Sequence, residues 1–201
     1  LLTGGARAVL PRQQTLEASI SWSVALLPER ERVLLRRLSI FAGGFDLTGA
    51  EQVCAGEGLD ELDVLDSLER LLDHSLIVTS DAADEARFGM LETVRQFGAR
   101  MLDEADETVA VRERHARHFA AWARTESPRA ETAEELAVIA RLDVERDNVN
   151  AAVTWFEANE SPDAFAGLVC DLAPYWDQGG HFGVAIDWFT RALAAGPERD
   201  S

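Results

Sequence analysis

His115 and His118 stand three apart in "RERHARH", a spacing at which two imidazoles on one turn of a helix can share a metal ion. The nearby acid, Glu113, points elsewhere, so no third ligand is suggested, and the stretch reads better as an exposed arginine–histidine face. Arg112, Arg114 and Arg117 flank the pair as the densest basic patch of the chain, able to dock an acidic surface of the same protein or simply to be solvated. Serine, histidine and carboxylates are all present, but no GxSxG elbow sets up a nucleophile. The acids fall mostly at solvent spacing on helices, with no isolated pair for acid–base work. A phosphate-binding GxxxxGK[ST] loop is also missing, and all 19 basic residues are arginine, so no lysine can reach a phosphate. These patterns predict a non-catalytic segment that holds no metal and no cofactor. Trp122, Trp155, Trp176, Trp188 and Tyr175 read as packing between helices rather than as a ligand cage.

The bulk numbers narrow the partners. Against those 19 arginines stand 36 acids, for a net charge of −17, a field that repels phosphate backbones. A composition 47% hydrophobic over 201 residues suffices for one sizeable core or two small ones. No apolar run is long enough to span a bilayer, and Cys54 and Cys170 form no CxxC pair. The expectation is a reduced, cytoplasmic protein with both thiols buried as small hydrophobes. Leu1 in place of a methionine suggests a fragment or a trimmed product.

The elements that position these residues are legible as periods. "TLEASISWSVALL" repeats Leu16, Ile20, Val24 and Leu27 at helical spacing behind Thr15 as a cap. Pro28 suits the first turn of a second helix striped by Leu34, Leu38 and Phe41, and Thr48 is placed to cap a short third one. A further helix over 60–73 carries Leu65, Leu68 and Leu72. "SLIVTS" and "ARFGML" then read as two short strands across a polar loop, and "ETVRQFGARMLDEA" as a helix. Helix–helix–helix–strand–loop–strand is the order of a winged helix-turn-helix. From about Asp106 only helices are expected. "AVTWFEA" at 152–158 and "AIDWFTRA" at 185–192 repeat alanine, tryptophan and phenylalanine after 33 residues, close to the ~34-residue tetratricopeptide period. The predicted fold is therefore mainly α. It comprises a winged helix-turn-helix with a small β-hairpin over 1–105 and a helical, tetratricopeptide-like region over 106–201.

Ordered blocks along nearly the whole chain carry a resemblance. "LPRQQTLEASISWS", "LSIFAGGFDLTGAEQVCAG", "VLDSLERLLDHSLI", "RFGMLETVRQFGARML" and "RHARHFAAWA" resemble successive parts of the STAND-type, NB-ARC-like ATPase regulators of actinobacteria, of the LuxR-type, AfsR-like and cyclase-fused kinds. "LDVERDNVNAAVTWF" and "YWDQGGHFGVAIDWFTRAL" are similar to the stretch that leads into their tetratricopeptide arrays. The resemblance implies a multidomain switch, with ATP or ADP held only in an upstream ATPase module that this segment would follow. Its partners would be that module, the downstream repeats and an unknown protein or small-molecule effector.

In that family a methionine-histidine-aspartate run on the winged helix contacts bound ADP. Met90, Leu91 and Glu92 stand at that place here, and leucine has no ring nitrogen to donate to a phosphate. The residues read as a strand end and helix start with Leu91 in the core, leaving Glu92 and Arg95 as candidates for an interdomain contact. DNA-reading winged helices present arginine, lysine, asparagine or glutamine from the third helix. Residues 60–73 instead carry Asp60, Glu61, Asp63, Asp66, Glu69 and Asp73 against Arg70 alone. The reading is thus a regulatory and protein-interaction segment with no direct nucleic-acid binding. The alternative is the DNA-binding winged helix of a transcription factor. Trp155, Trp176, Trp188 and Phe189 are the candidates for packing or interaction in the repeats. Trp188, Phe189 and Leu193 are expected partly exposed at the end of the stack, with Trp155 one layer further in.

Overall fold

The computed structural model describes residues 17–80, 86–159 and 161–195. Residues 1–16, 81–85, 160 and 196–201 lie outside them, so the proposed Thr15 cap is not described. The chain divides into two compact units, Leu1–Val111 and Arg112–Ser201.

The first unit packs α-helices around a two-stranded wing. A helix over 17–25 (α1) is followed by α2 (Glu29–Leu38), α3 (Leu47–Cys54) and, after a 3₁₀ turn Glu61–Asp63, α4 (Val64–Asp73). Two antiparallel strands, β1 (Val78–Ser80) and β2 (Arg87–Gly89), pair Thr79 with Phe88, and α5 (Glu92–Glu104) closes the unit against α2. Leu34, Leu38, Val53, Val64, Leu68 and Leu71 are all essentially inaccessible, which accounts for the apolar period of each helix. Where α2 ends, the chain turns back at Gly44, whose φ of +87° is open to glycine. A Cβ there would stand 2.7 Å from the Phe88 carbonyl oxygen. The turn lets Phe45 pair its backbone with Phe88 through two hydrogen bonds of 2.9 and 2.8 Å, and the rings of Phe41, Phe45 and Phe88 stack behind it. A second glycine, Gly98, permits α5 to approach α2, since a Cβ would meet Ser39 Cβ at 3.0 Å and Leu35 O at 3.1 Å.

Three local expectations are corrected. Asp46, not Thr48, caps α3, its carboxylate accepting from Gly49 N at 2.6 Å. Leu91 is 59% exposed rather than in the core, because it precedes the first turn of α5 and the inward position goes to Val94. Cys54 is buried as expected, but Cys170 on the outer side of its helix is exposed.

Helix α6 (Thr108–Glu126) begins in the first unit and runs into the second. The second unit continues with a 3₁₀ turn Ser127–Glu131, α7 (Glu135–Val144), α8 (Arg146–Ala158), α9 (Pro162–Asp171), α10 (Ala173–Gln178) and α11 (Phe182–Ala195). Val138, Leu142, Val153, Phe165, Leu168 and Leu172 form its core. Pro162 and Pro174 stand in the first turns of α9 and α10, where a missing N–H costs no helical bond.

Candidate nucleic-acid interface

Counted from α2, the third helix is α4. Its spacing sends Val64, Ser67, Leu68 and Leu71 inward and leaves Leu65, Asp66, Glu69, Arg70 and Asp73 on the accessible side. The preceding 3₁₀ turn adds Glu61 and a Leu62 that is 94% exposed. Two cations reach this surface. Arg70 Nη1 lies 3.0 Å from Oε1 of the buried Glu31 of α2, its own side chain 60% exposed. Arg30 Nη1 lies 2.6 Å from Asp63 Oδ1. Both are therefore tied to carboxylates of the same unit. Beside α4 the wing exposes Val78, Thr79 and Ser80 on β1, while Arg87 on β2 turns inward, Nη2 3.4 Å from the Gly43 carbonyl oxygen.

A cavity of about 100 Å³ is lined by Leu38, Phe41, Phe45, Met90, Glu92 and Arg95. Glu92 accepts two hydrogen bonds from Arg95 at 2.8 and 2.9 Å and one from Gln96 at 2.8 Å. Arg95 first, then Gln96, hold the Glu92 carboxyl at about 2, well below the usual carboxylate range. The pair is thus satisfied within one turn of α5, at the surface of its own unit.

The cationic stretch of α6 is not one face. Arg112 is exposed and Arg117 pairs with Glu113 at 2.6 Å, whereas Arg114 is half-buried. His115, expected on an exposed face, is instead 3% exposed. Its Nε2 lies 3.3 Å from Asn148 Oδ1, suited to a ring N–H donating to the amide oxygen, and Asn148 Nδ2 donates in turn to Glu145 at 2.7 Å. Burial pushes the His115 imidazole down to about 4. Among the described residues no group of three or more His, Cys, Asp or Glu is placed to hold a metal ion.

The aromatic candidates sit within the helical packing of the second unit. Trp176 meets Phe189 edge-on at 5.8 Å, and Trp188 meets Phe165 at 6.0 Å with the Arg191 guanidinium 4.2 Å above its face. The expected order of exposure is corrected. Trp188 is only 9% exposed because α9 covers it, whereas Trp155 is half-buried. Leu193 is 82% exposed, and Phe189 is intermediate.

Sequence reasoning missed the polar interior of the first unit. Arg37 is 3% exposed and donates to Cys54 O at 2.8 Å, to Glu57 O at 2.7 Å, and to both oxygens of Glu107 at 2.9 Å. Arg36 adds a second fork to Glu107 at 2.9 and 3.2 Å. Arg37 follows Val33 by four residues on the buried stripe of α2, and a charge at that phase was the available signal.

Three helices, α2, α3 and α4, the last accessible on one side, and a hairpin wing define a winged helix-turn-helix domain. Residues 27–103 match the family described as winged helix-turn-helix domain. The chain is 39% identical over 193 residues to "Putative HTH-type transcriptional regulator Rv0890c" of Mycobacterium tuberculosis, a match covering 96% of this chain and 22% of that relative. It is likewise 39% identical over 120 residues to "Uncharacterized protein Rv0894" of the same organism, covering 59% of this chain and 30% of that one. The chain thus spans about a fifth of the length of the first relative. No solved structure matches.

These findings correct the expectation of no direct nucleic-acid binding. That expectation rested on a whole-chain charge and six carboxylates, but the matched domain belongs to a class that meets DNA through its third helix. Net charge sums over both units, whereas contact depends on the few groups that reach a groove. Neither the matched domain nor the relatives' names carry an ATPase, so the STAND-type context finds no support there.

Proposed function

We propose that this chain is a segment of a transcriptional regulator whose winged helix contacts duplex DNA, with α4 as the helix presented to the groove. The observation that carries the reading is the position of α4 as the accessible third helix of a matched winged helix-turn-helix domain. Arg70 and Arg30 are the cations at that surface, and each must exchange an intramolecular carboxylate for a phosphate or a base edge. Asp66, Glu69 and Asp73 oppose the contact, so affinity is low and favours DNA whose shape brings few phosphates near them. No catalytic step is needed, and a cytoplasmic location goes with this role. The test is selection of bound duplexes from a random-sequence pool at low salt. An enriched sequence whose binding drops on Arg70→Ala supports the reading, and a pool that stays random overturns it.

A second reading is favoured by one observation, the exposed Leu62 and Leu65 among the acids of α4. Apolar groups ringed by carboxylates suit contact with a protein, as in a non-catalytic regulatory segment that passes signals through domain packing. Both roles can share one domain. Paired variants separate them: Leu62→Ser should lower protein capture more than DNA binding, and Arg70→Ala the reverse.

A further inference from the structure

The sequence repeat and the burial pattern of the second unit carry an inference beyond the winged helix. The step of 33 residues that pairs Ala152, Trp155 and Phe156 with Ala185, Trp188 and Phe189 also pairs Val149 with Phe182 and Val153 with Ile186. In α8, Val149, Val153 and Phe156 are 5%, 0% and 7% exposed. Two of their counterparts on α11 are not covered, Phe182 being 56% exposed and Ile186 68%, while Phe189 is intermediate against Trp176. The spacing i, i+4, i+7 puts each set on one helix face, and Leu193, seven residues beyond Ile186, prolongs the face on α11.

What differs is the helix that follows. Helix α8 packs against α7 before it and α9 after it. Helix α11 packs against α9 and α10, both before it, and among the described residues no helix comes after. At Phe182 and Ile186 the exposed face of α11 therefore matches positions that are core one repeat earlier, Val149 and Val153. α9 shows what chemistry belongs beside such a helix, with Phe165, Leu168, Val169 and Leu172 at i, i+3, i+4 and i+7, each at most 1% exposed.

We propose that the Phe182–Ile186–Leu193 face of α11 is a docking surface for an amphipathic helix of the α9 kind, supplied by the same polypeptide as the next unit of the repeat. Two proteins test it by amide hydrogen exchange: this chain, and the same chain with its own residues 159–195 repeated once more after Ala195. The repeat should slow exchange across α11 by roughly tenfold or more, the scale expected when an apolar helix face is covered. Ile186→Asp in the extended protein should reverse that protection while leaving exchange in the original α9 unchanged. The same substitution should leave the melting of the unextended chain unaltered, since Ile186 is already accessible. Equal exchange in α11 with and without the added repeat would overturn the proposal. So would a dimer of the unextended chain that Ile186→Asp splits in sedimentation, because a second copy would then own the face.

Discussion

At the scale of single residues, the charges that matter most are inside. Glu107 receives forked hydrogen bonds from both Arg36 and Arg37, and Arg37 also ties down the end of α3. Burial alone would raise the Glu107 carboxyl, but the two guanidiniums overcome it and hold the group at about 2. A carboxyl depressed in the folded state stabilises the fold above its ordinary value near 4.5, and that contribution is lost as pH falls through about 2. Glu107→Gln should therefore cost about 1–3 kcal/mol at neutral pH, solvent on one side of the carboxylate moderating the loss. Urea denaturation would show it, and an unchanged midpoint would remove the clamp from the account. His115 acts at higher pH. Its folded value of about 4 lies below the ordinary 6.5, so the unfolded chain takes up a proton first as the solution is acidified. Stability should fall by roughly 1–3 kcal/mol between pH 6.5 and 4, and His115→Gln should flatten that fall. Thermal melts across the range would show either slope.

At the scale of elements, periodicity went far and phase less far. The apolar stripe of α2, the two strands and the unbroken α6 follow from spacing alone. The stripe expected on α4 from Leu65, Leu68 and Leu72 is out of phase: Leu65 is 44% exposed, and Val64, Leu68 and Leu71 turn inward. The arginine-rich run of α6 hid the inward turn of His115, since its partner Asn148 stands 33 residues away. Likewise Leu91 looked like core in a strand-to-helix run, but the helix starts one residue later and turns it out. The acidic face of α4 was fully legible, whereas its meaning was not, because charge count says nothing of which surface a domain presents. The tryptophans show the same limit. Trp155 and Trp188 are alike in sequence, and the placement of α9 decides which is buried. Trp188→Ala should accordingly cost about 3–5 kcal/mol of stability and Trp155→Ala clearly less. Calorimetric melts of the two variants in parallel provide the comparison, and equal losses would contradict the assigned packing.

At the scale of the whole molecule, the central claim is that a strongly acidic chain contacts DNA through a winged helix. With a net charge of −17, long-range attraction cannot supply the affinity, and the contact depends on Arg70, Arg30 and the wing. Few phosphates are neutralised, so dissociation should depend only shallowly on salt, with a slope near −2 in log K against log salt if about two contacts form. Replacing the opposing acids Asp66 and Glu69 by amides should tighten binding, and Arg70→Ala should loosen it. The most direct measurement is fluorescence anisotropy of a labelled duplex titrated with the chain from about 20 to 200 mM salt, a range that exposes phosphate contacts. The account requires saturable binding that weakens with a shallow slope and is abolished by the paired Arg30→Ala, Arg70→Ala change. An anisotropy that stays flat at the lowest salt, or binding indifferent to that paired change, would contradict it.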